Sequence, residues 1–144
     1  MAKRQATTRI IAGKFRGTKL TFKPNKSLRP TESKTKETLF NWLLNDLDNK
    51  NCLDMFAGTG SLGFEALSRG AKEVIFIEKQ KGLCNSIEEI AKKLEIKEKC
   101  RIINANSTSI NFNNLNDKFD LIFLDPPFHA VSYTHLTLPT NREV

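Results

Sequence analysis

Asp54-Met-Phe-Ala-Gly58-Thr-Gly60-Ser-Leu-Gly63 is the stretch that decides the fold, and Asp125-Pro-Pro-Phe128, 65 residues beyond Gly60, decides how it is used. The first reads as a short apolar strand, Cys52–Phe56, running into a glycine turn and then a helix to about Arg69, where Gly70 ends it. Gly58, Gly60 and Gly63 spell G-x-G-x-x-G, the spacing at which backbone can come close to a ligand. The second motif is a polar clamp at the end of another strand.

Downstream of the turn the pattern alternates. Val74-Ile-Phe-Ile77 is a continuous apolar run of the kind a parallel sheet buries on both faces. Leu83, Ile87, Ile90 and Leu94 mark an amphipathic helix, Arg101–Ile103 a third strand and Phe119–Leu124 a fourth. Between the last two, Asn104–Asp117 is polar and loop-like, with one short helix pinned by Phe112 and Leu115. This β-α-β-α-β order predicts a doubly wound α/β domain with right-handed crossovers.

Upstream, Thr8–Ala12 and Phe15–Phe22 read as a hairpin around Gly13, with Gly17 as a second bend. Thr31 after Pro30 is an N-cap for a helix reaching about Leu47, since Phe40, Leu43, Leu44 and Leu47 repeat at helical spacing while Trp42 lies off that stripe. The chain thus divides into a basic arm over residues 1–30, a domain over 31–130 and a tail over 131–144. The tail breaks the pattern and resembles translated sequencing-adapter read-through, so the native frame is expected to stop near Ala130, leaving Tyr133 and His135 without functional meaning.

The 144 residues, 39% of them hydrophobic, suffice for one core rather than two. No apolar run approaches the ~18 residues that cross a bilayer, and the N-terminus has no signal-peptide core. Cys52, Cys84 and Cys100 are odd in number and lack C-x-x-C spacing, which points to plain thiols in a reducing cytoplasm rather than disulfides or zinc. Residues 1–36 carry eleven Lys or Arg against Glu32 alone, while the remainder carries twelve basic and fifteen acidic side chains. A basic arm on a mildly acidic domain suits a polyanionic partner, because each neutralised phosphate releases counterions; a solvated tail is the plainer reading of the same charges.

Three ligands compete for the glycine turn. Gly58 and Gly63 also satisfy half of a nucleoside triphosphate loop, but Phe64-Glu65 stands where Lys-Ser/Thr is required. A dinucleotide suits the glycines, and Glu78, 18 residues beyond Gly60, suits a ribose. Asp54 separates them: a carboxylate at the strand end repels a pyrophosphate and attracts an ammonium or sulfonium. S-adenosylmethionine carries both cations and a ribose diol, although a strand-end aspartate also serves simply to cap a turn. Asp125 and a carbonyl of the rigid Pro126-Pro127 unit offer acceptors to the hydrogens of a delocalised amine, drawing its nitrogen out of conjugation, and Phe128 offers a face on which an extruded base can stack.

The chain resembles the class I S-adenosylmethionine-dependent methyltransferases, and specifically the RsmD-type small-subunit ribosomal RNA guanine-N2 methyltransferases. The resemblance is carried by Arg9-Ile-Ile-Ala-Gly-Lys-Phe-Arg-Gly-Thr-Lys-Leu20, Leu28-Arg-Pro-Thr31, Lys36-Glu-Thr-Leu-Phe-Asn-Trp42, Leu53 to Arg69 and Asp125-Pro-Pro-Phe128. It implies a Rossmann-like methyltransferase sheet and a cofactor site of Asp54 (methionine ammonium), Phe56, Ala57, the Gly58–Gly60 backbone, Glu78 (ribose) and Asn106 (adenine amine). It implies catalytic roles for Asp125, Pro126 and Phe128 on the target guanine. It also lays Lys14, Arg16, Lys19 and Arg29 against ribosomal RNA or the assembling 30S particle. A cytoplasmic bacterial enzyme of ribosome biogenesis follows, monomeric at full length, without metal or membrane. The family runs on past the clamp through a further helix and about three strands, so this chain is expected to be truncated, missing C-terminal strands and marginally stable. Rival readings are adenine-N6 or protein-glutamine methylation, which share an acid-Pro-Pro-aromatic clamp, and an RNA-binding remnant without catalysis.

Overall fold

The computed structural model describes residues 6–22, 33–43, 45–115 and 118–126. Two antiparallel strands, β1 (Ala6–Arg9) and β2 (Lys19–Phe22), come first, followed by helix α1 (Ser33–Trp42). The alternating part then supplies β3 (Asn51–Asp54), α2 (Ser61–Ser68), β4 (Glu73–Glu78), α3 (Lys81–Lys93), β5 (Cys100–Asn104) and β6 (Leu121–Phe123). The last four strands form one parallel sheet in the order β5-β4-β3-β6. The chain steps outward from β3 through β4 to β5, then returns to lay β6 on the other side of β3. That reversal makes β3 and β6 the switch point of the sheet, and doubly wound sheets bind ligands beyond the carboxyl ends of the strands at such a point.

Why each strand is a strand follows from its burial. Val74, Phe76 and Cys52 face one side, with Leu121 and Phe123, and pack against Phe40 of α1, Phe64 and Leu67 of α2, and Ile87 and Ile90 of α3. Leu53, Met55, Ile75, Ile77 and Ile122 face the other side, against Ile110, Phe112 and Phe119. Both faces are apolar, so the runs are continuous rather than alternating. Gly63 lets α2 approach the sheet: a Cβ there would lie 2.2 Å from the Phe76 ring. The short helix expected in the polar stretch is a 3-10 turn over Phe112–Leu115.

Several boundaries differ from the sequence reading. The hairpin strands are shorter than Thr8–Ala12 and Phe15–Phe22: Ile10 still exchanges hydrogen bonds with Thr18 and Gly17, but residues 11–15 turn aside to bond α2, with Gly13 and Gly17 both at positive φ. Helix α1 stops at Trp42 rather than near Leu47. Leu43 and Leu47 are still buried, but through i→i+3 turns (Leu43 N–H to the Phe40 carbonyl, Asp46 N–H to the Leu43 carbonyl) that the run of Asn and Asp residues favours over helix. Trp42 is 78% exposed. The strands expected over Cys52–Phe56 and Phe119–Leu124 pair only over Asn51–Asp54 and Leu121–Phe123. Thr31, Arg29, Pro127, Phe128 and the 131–144 tail lie outside the described residues.

Cys52 and Cys84 are buried and Cys100 is half-buried, all as free thiols. Burial pushes Cys52 and Cys100 up to about 12, so neither is a ready nucleophile at neutral pH. Among the described residues, no helix is long and apolar enough to cross a membrane, and no group of three or more His, Cys, Asp or Glu is arranged to hold a metal.

Candidate functional site

Asp54 is the last residue of β3, in register with Phe76 of β4 and Phe123 of β6, and its side chain is 1% exposed. Among the described residues, neither carboxylate oxygen has a hydrogen-bond partner of normal geometry. The Gly63 and Phe56 amides favour its charged form, yet they do not reach it with good geometry. Desolvation dominates, followed by repulsion from Asp125 and, more weakly, from Glu78, and together these push the Asp54 carboxyl up to about 7. A buried acid so weakly satisfied is costly for the apo protein, and it is the kind of group that a cationic ligand satisfies.

The turn beyond Asp54 is built by backbone. Gly58 and Gly60 sit at φ 55° and 82°, a region open to glycine. The Ala57 N–H donates to the Ile77 carbonyl, tying the turn to β4, and the Gly60 N–H closes back on the Ala57 carbonyl. Glu78 ends β4 and reaches across: its Oε1 accepts from the Gly58 N–H at 2.9 Å and its Oε2 from the Gln80 N–H at 2.7 Å. Each oxygen keeps one lone pair for another donor. Thus Asp54, Phe56, Ala57, Gly58, Gly60 and Glu78 are brought together at one end of the sheet.

Asn106 follows β5, and its neighbour Ser107 is buried with its hydroxyl donating to the Met55 carbonyl, which fastens this loop to the end of β3. The Asn106 Oδ1 already accepts from the Thr108 N–H at 3.0 Å and the Thr108 hydroxyl at 2.7 Å. A further donor, such as an adenine amine, has to displace one of them. Asp125 is exposed just past β6 and Pro126 is half-buried beside it. Asp125 follows the carboxyl end of β6, which runs parallel to β3, and so lies at the same end of the sheet as the turn, close enough to repel Asp54. Lys14, Arg16 and Lys19 are exposed on the hairpin; the Lys14 ammonium stands 5.6 Å from the Phe15 ring centroid.

Sequence reading missed the fastening between that hairpin and α2. Glu65, 0% exposed, accepts from the Ile11 N–H (2.9 Å), the Ala12 N–H (3.1 Å) and Arg69 Nε (2.9 Å), and pairs with Lys36 Nζ at 3.3 Å. Ser68 Oγ accepts from the Phe15 N–H and donates to the Ala12 carbonyl, while the Lys14 N–H donates to the Ser68 carbonyl. A Cβ on Gly13 would meet that carbonyl oxygen at 2.0 Å. The signal was present: Ser61, Glu65, Ser68 and Arg69 fall at i, i+4, i+7 and i+8 on a helix that is otherwise apolar, which puts them on one face.

The chain matches the family described as Conserved hypothetical protein 95 over residues 8–142. It is 48% identical over 123 residues to the ribosomal RNA small subunit methyltransferase D of Haemophilus influenzae, covering 84% of this chain and 64% of that protein. The solved structure of a candidate methyltransferase, yhhF, from Escherichia coli superposes with a TM-score of 0.72 at 35% identity, over 88% of this chain and 68% of that one. A candidate methylase from Haemophilus influenzae gives 0.66 at 42% identity, over 86% and 66%. The chain therefore spans a little under two thirds of the length of that curated relative. A four-stranded parallel sheet, a buried aspartate under a glycine turn and these likenesses together place the chain in the Conserved hypothetical protein 95 family, that of the RsmD-type methyltransferases.

Proposed function

We propose that this chain is the cofactor-binding and clamp-bearing part of a methyltransferase that moves a methyl group from S-adenosylmethionine to the exocyclic N2 of a guanine in small-subunit ribosomal RNA. The observation that carries the reading is the Asp54 carboxylate, buried without a hydrogen bond beneath the glycine turn. The donor's ammonium is a cation of suitable size for such a group, met directly or through one water. The residues present fit the cofactor.

When bound, the cofactor supplies an electrophilic methyl on sulfur, and the protein's part is position and electrostatics. Asp54 holds positive charge at the strand end. The remaining lone pairs of Glu78 accept from ribose hydroxyls, while Phe56, Ala57 and the Gly58–Gly60 backbone shape the floor, and Asn106 meets the adenine edge in exchange for its Thr108 bond. Asp125 and a clamp carbonyl at Pro126 accept the amine hydrogens of the guanine, and Phe128 stacks on the base. Lys14, Arg16, Lys19 and Arg29 lie along phosphates, which accounts for the excess of positive charge in the first 36 residues. A bacterial, cytoplasmic enzyme of ribosome biogenesis, monomeric at full length, fits this chemistry.

Calorimetry with S-adenosylhomocysteine tests the cofactor, and methyl transfer to small ribosomal subunits, free DNA and release-factor protein tests the target. Binding that disappears in Asp54→Ala, with transfer to ribosomal RNA alone, is the expected result. Transfer to DNA adenine or to protein glutamine redirects the reading to another amine. RNA binding with no cofactor affinity makes the chain a non-catalytic module.

A further inference from the structure

Lys36 takes no part in the chemistry just described, yet its side chain is among the most deeply buried in the molecule. Its Nζ donates to the Arg9 carbonyl at 2.7 Å and to Ser61 Oγ at 2.8 Å, and lies 3.3 Å from Glu65 Oε1. An ammonium has three hydrogens, and each of these has a partner. Those partners come from three places: the end of β1, the first residue of α2 and the middle of α2. Lys36 itself comes from α1.

We propose that Lys36 is a positioning residue for the glycine turn: by holding Ser61 from the hairpin side, it sets the start of α2 and so the shape of the turn that receives the cofactor. The inference rests on reading that turn as the cofactor site. Ser61 directly follows Gly60, which caps α2 in the left-handed region without any side-chain cap. With glycine at both 58 and 60, the backbone there is permissive and needs fixing from outside. From the turn itself, among the described residues, Ser61 has a long contact, its N–H to Thr59 Oγ1 at 3.3 Å. The bond from Lys36 is the shorter restraint, and it is anchored in turn by Arg9 and by Glu65, which also grips residues 11 and 12. A methionine of similar length would avoid the desolvation that Lys36 undergoes, so a buried cation here is better accounted for by the geometry it imposes than by stability.

Two measurements on the 144-residue chain test this: calorimetric titration with S-adenosylhomocysteine, and amide hydrogen exchange at Gly58–Leu62. Lys36→Met is expected to weaken the affinity about tenfold and to speed exchange in the turn, with β5 unaffected, while Lys36→Arg restores most of both. Because Lys36→Met strips Glu65 of a partner and can unfold the chain, Ser61→Ala is the second arm. It leaves the ion pair in place, should loosen the turn by itself, and should make a further Lys36→Met change nearly silent in affinity, the non-additivity expected of two groups acting through one bond. Turn exchange unchanged in both variants overturns the assignment, and so does additive loss in the double variant. A wild-type chain that binds no S-adenosylhomocysteine sinks the cofactor reading instead, and the exchange arm then decides Lys36 alone.

Discussion

Two buried carboxylates, eleven residues apart in sequence, have opposite surroundings. Glu65 is fully enclosed and meets four donors, two backbone amides and two cationic side chains, one for each lone pair. Asp54 is just as enclosed and, among the described residues, makes no hydrogen bond of normal geometry, with only the Gly63 and Phe56 amides easing its charge. Burial alone therefore does not separate structural charge from functional charge; satisfaction does. A carboxylate whose partners are all protein is finished when the chain has folded. One that is buried without partners holds the fold in a state that a ligand improves, the usual position of a binding group in a stability–function trade-off.

The comparison breaks most visibly at Glu65. Glu65→Ala leaves Lys36 buried without its counter-charge and frees residues 11 and 12 from α2, so a loss of about 3–5 kcal/mol is expected in urea unfolding. Against the roughly 5–15 kcal/mol that holds a domain together, that is enough to abolish cooperative unfolding in a marginal one. A loss below about 1 kcal/mol would show that the four contacts are decoration, and the contrast with Asp54 would go with it.

Asp54 should respond in the opposite direction. Its carboxyl keeps a proton up to about 7 in the folded chain but releases it near 3.8 when unfolded. Folding therefore takes up a proton between those values, stability falls as pH rises through that window, and the full cost is present above 7. About three pK units correspond to a cost on the order of 4 kcal/mol. Asp54→Asn is thus expected to stabilise the apo chain at pH 8 and to change little at pH 4, while weakening S-adenosylhomocysteine. Destabilisation at pH 8 would place Asp54 with Glu65 as a structural group. A cation at Asp54 also expels its proton, so cofactor affinity should climb up to about tenfold per pH unit below 7 and level off above it. Titration calorimetry in buffers of different ionisation enthalpy reads both the slope and the released proton, and Asp54→Asn should flatten the profile.

Much of this contrast was legible in the sequence, but unevenly. Asp54 announced itself because it sits at a strand end before a G-x-G-x-x-G, and local spacing suffices to place it facing the turn. The parallel sheet was legible for the same reason, since Val74–Ile77 and the helical stripe of Leu83, Ile87 and Ile90 are local patterns. Glu65 was noticed only for the Ser/Thr position it occupies in a phosphate loop. Its backbone partners, Ile11 and Ala12, are 54 and 53 residues away along the chain, and no local period encodes them. The end of α1 was misplaced because Leu43 and Leu47 repeat at helical spacing yet are buried by turns, so burial matched the pattern while the backbone did not.

The smallest expected effect on stability asks what the satisfied carboxylate is for. Glu65 and Ser68 hold the loop between β1 and β2 against α2, while Arg16 and Lys19 make none of those bonds and are exposed. If the fastening exists to present them, neutralising the pair (Arg16→Gln with Lys19→Gln) should leave urea unfolding within about 0.5 kcal/mol of the parent, since surface changes away from packed features seldom do more. Cofactor affinity should not move. Binding to a small-subunit ribosomal RNA fragment should weaken, and the slope of log affinity against log salt should fall by about 1 for each charge removed. An unchanged slope would mean that those two side chains meet no phosphate. Glu65 would then be bracing a scaffold whose exposed charges only keep it in solution, and the partner would have to be sought on another face of the hairpin.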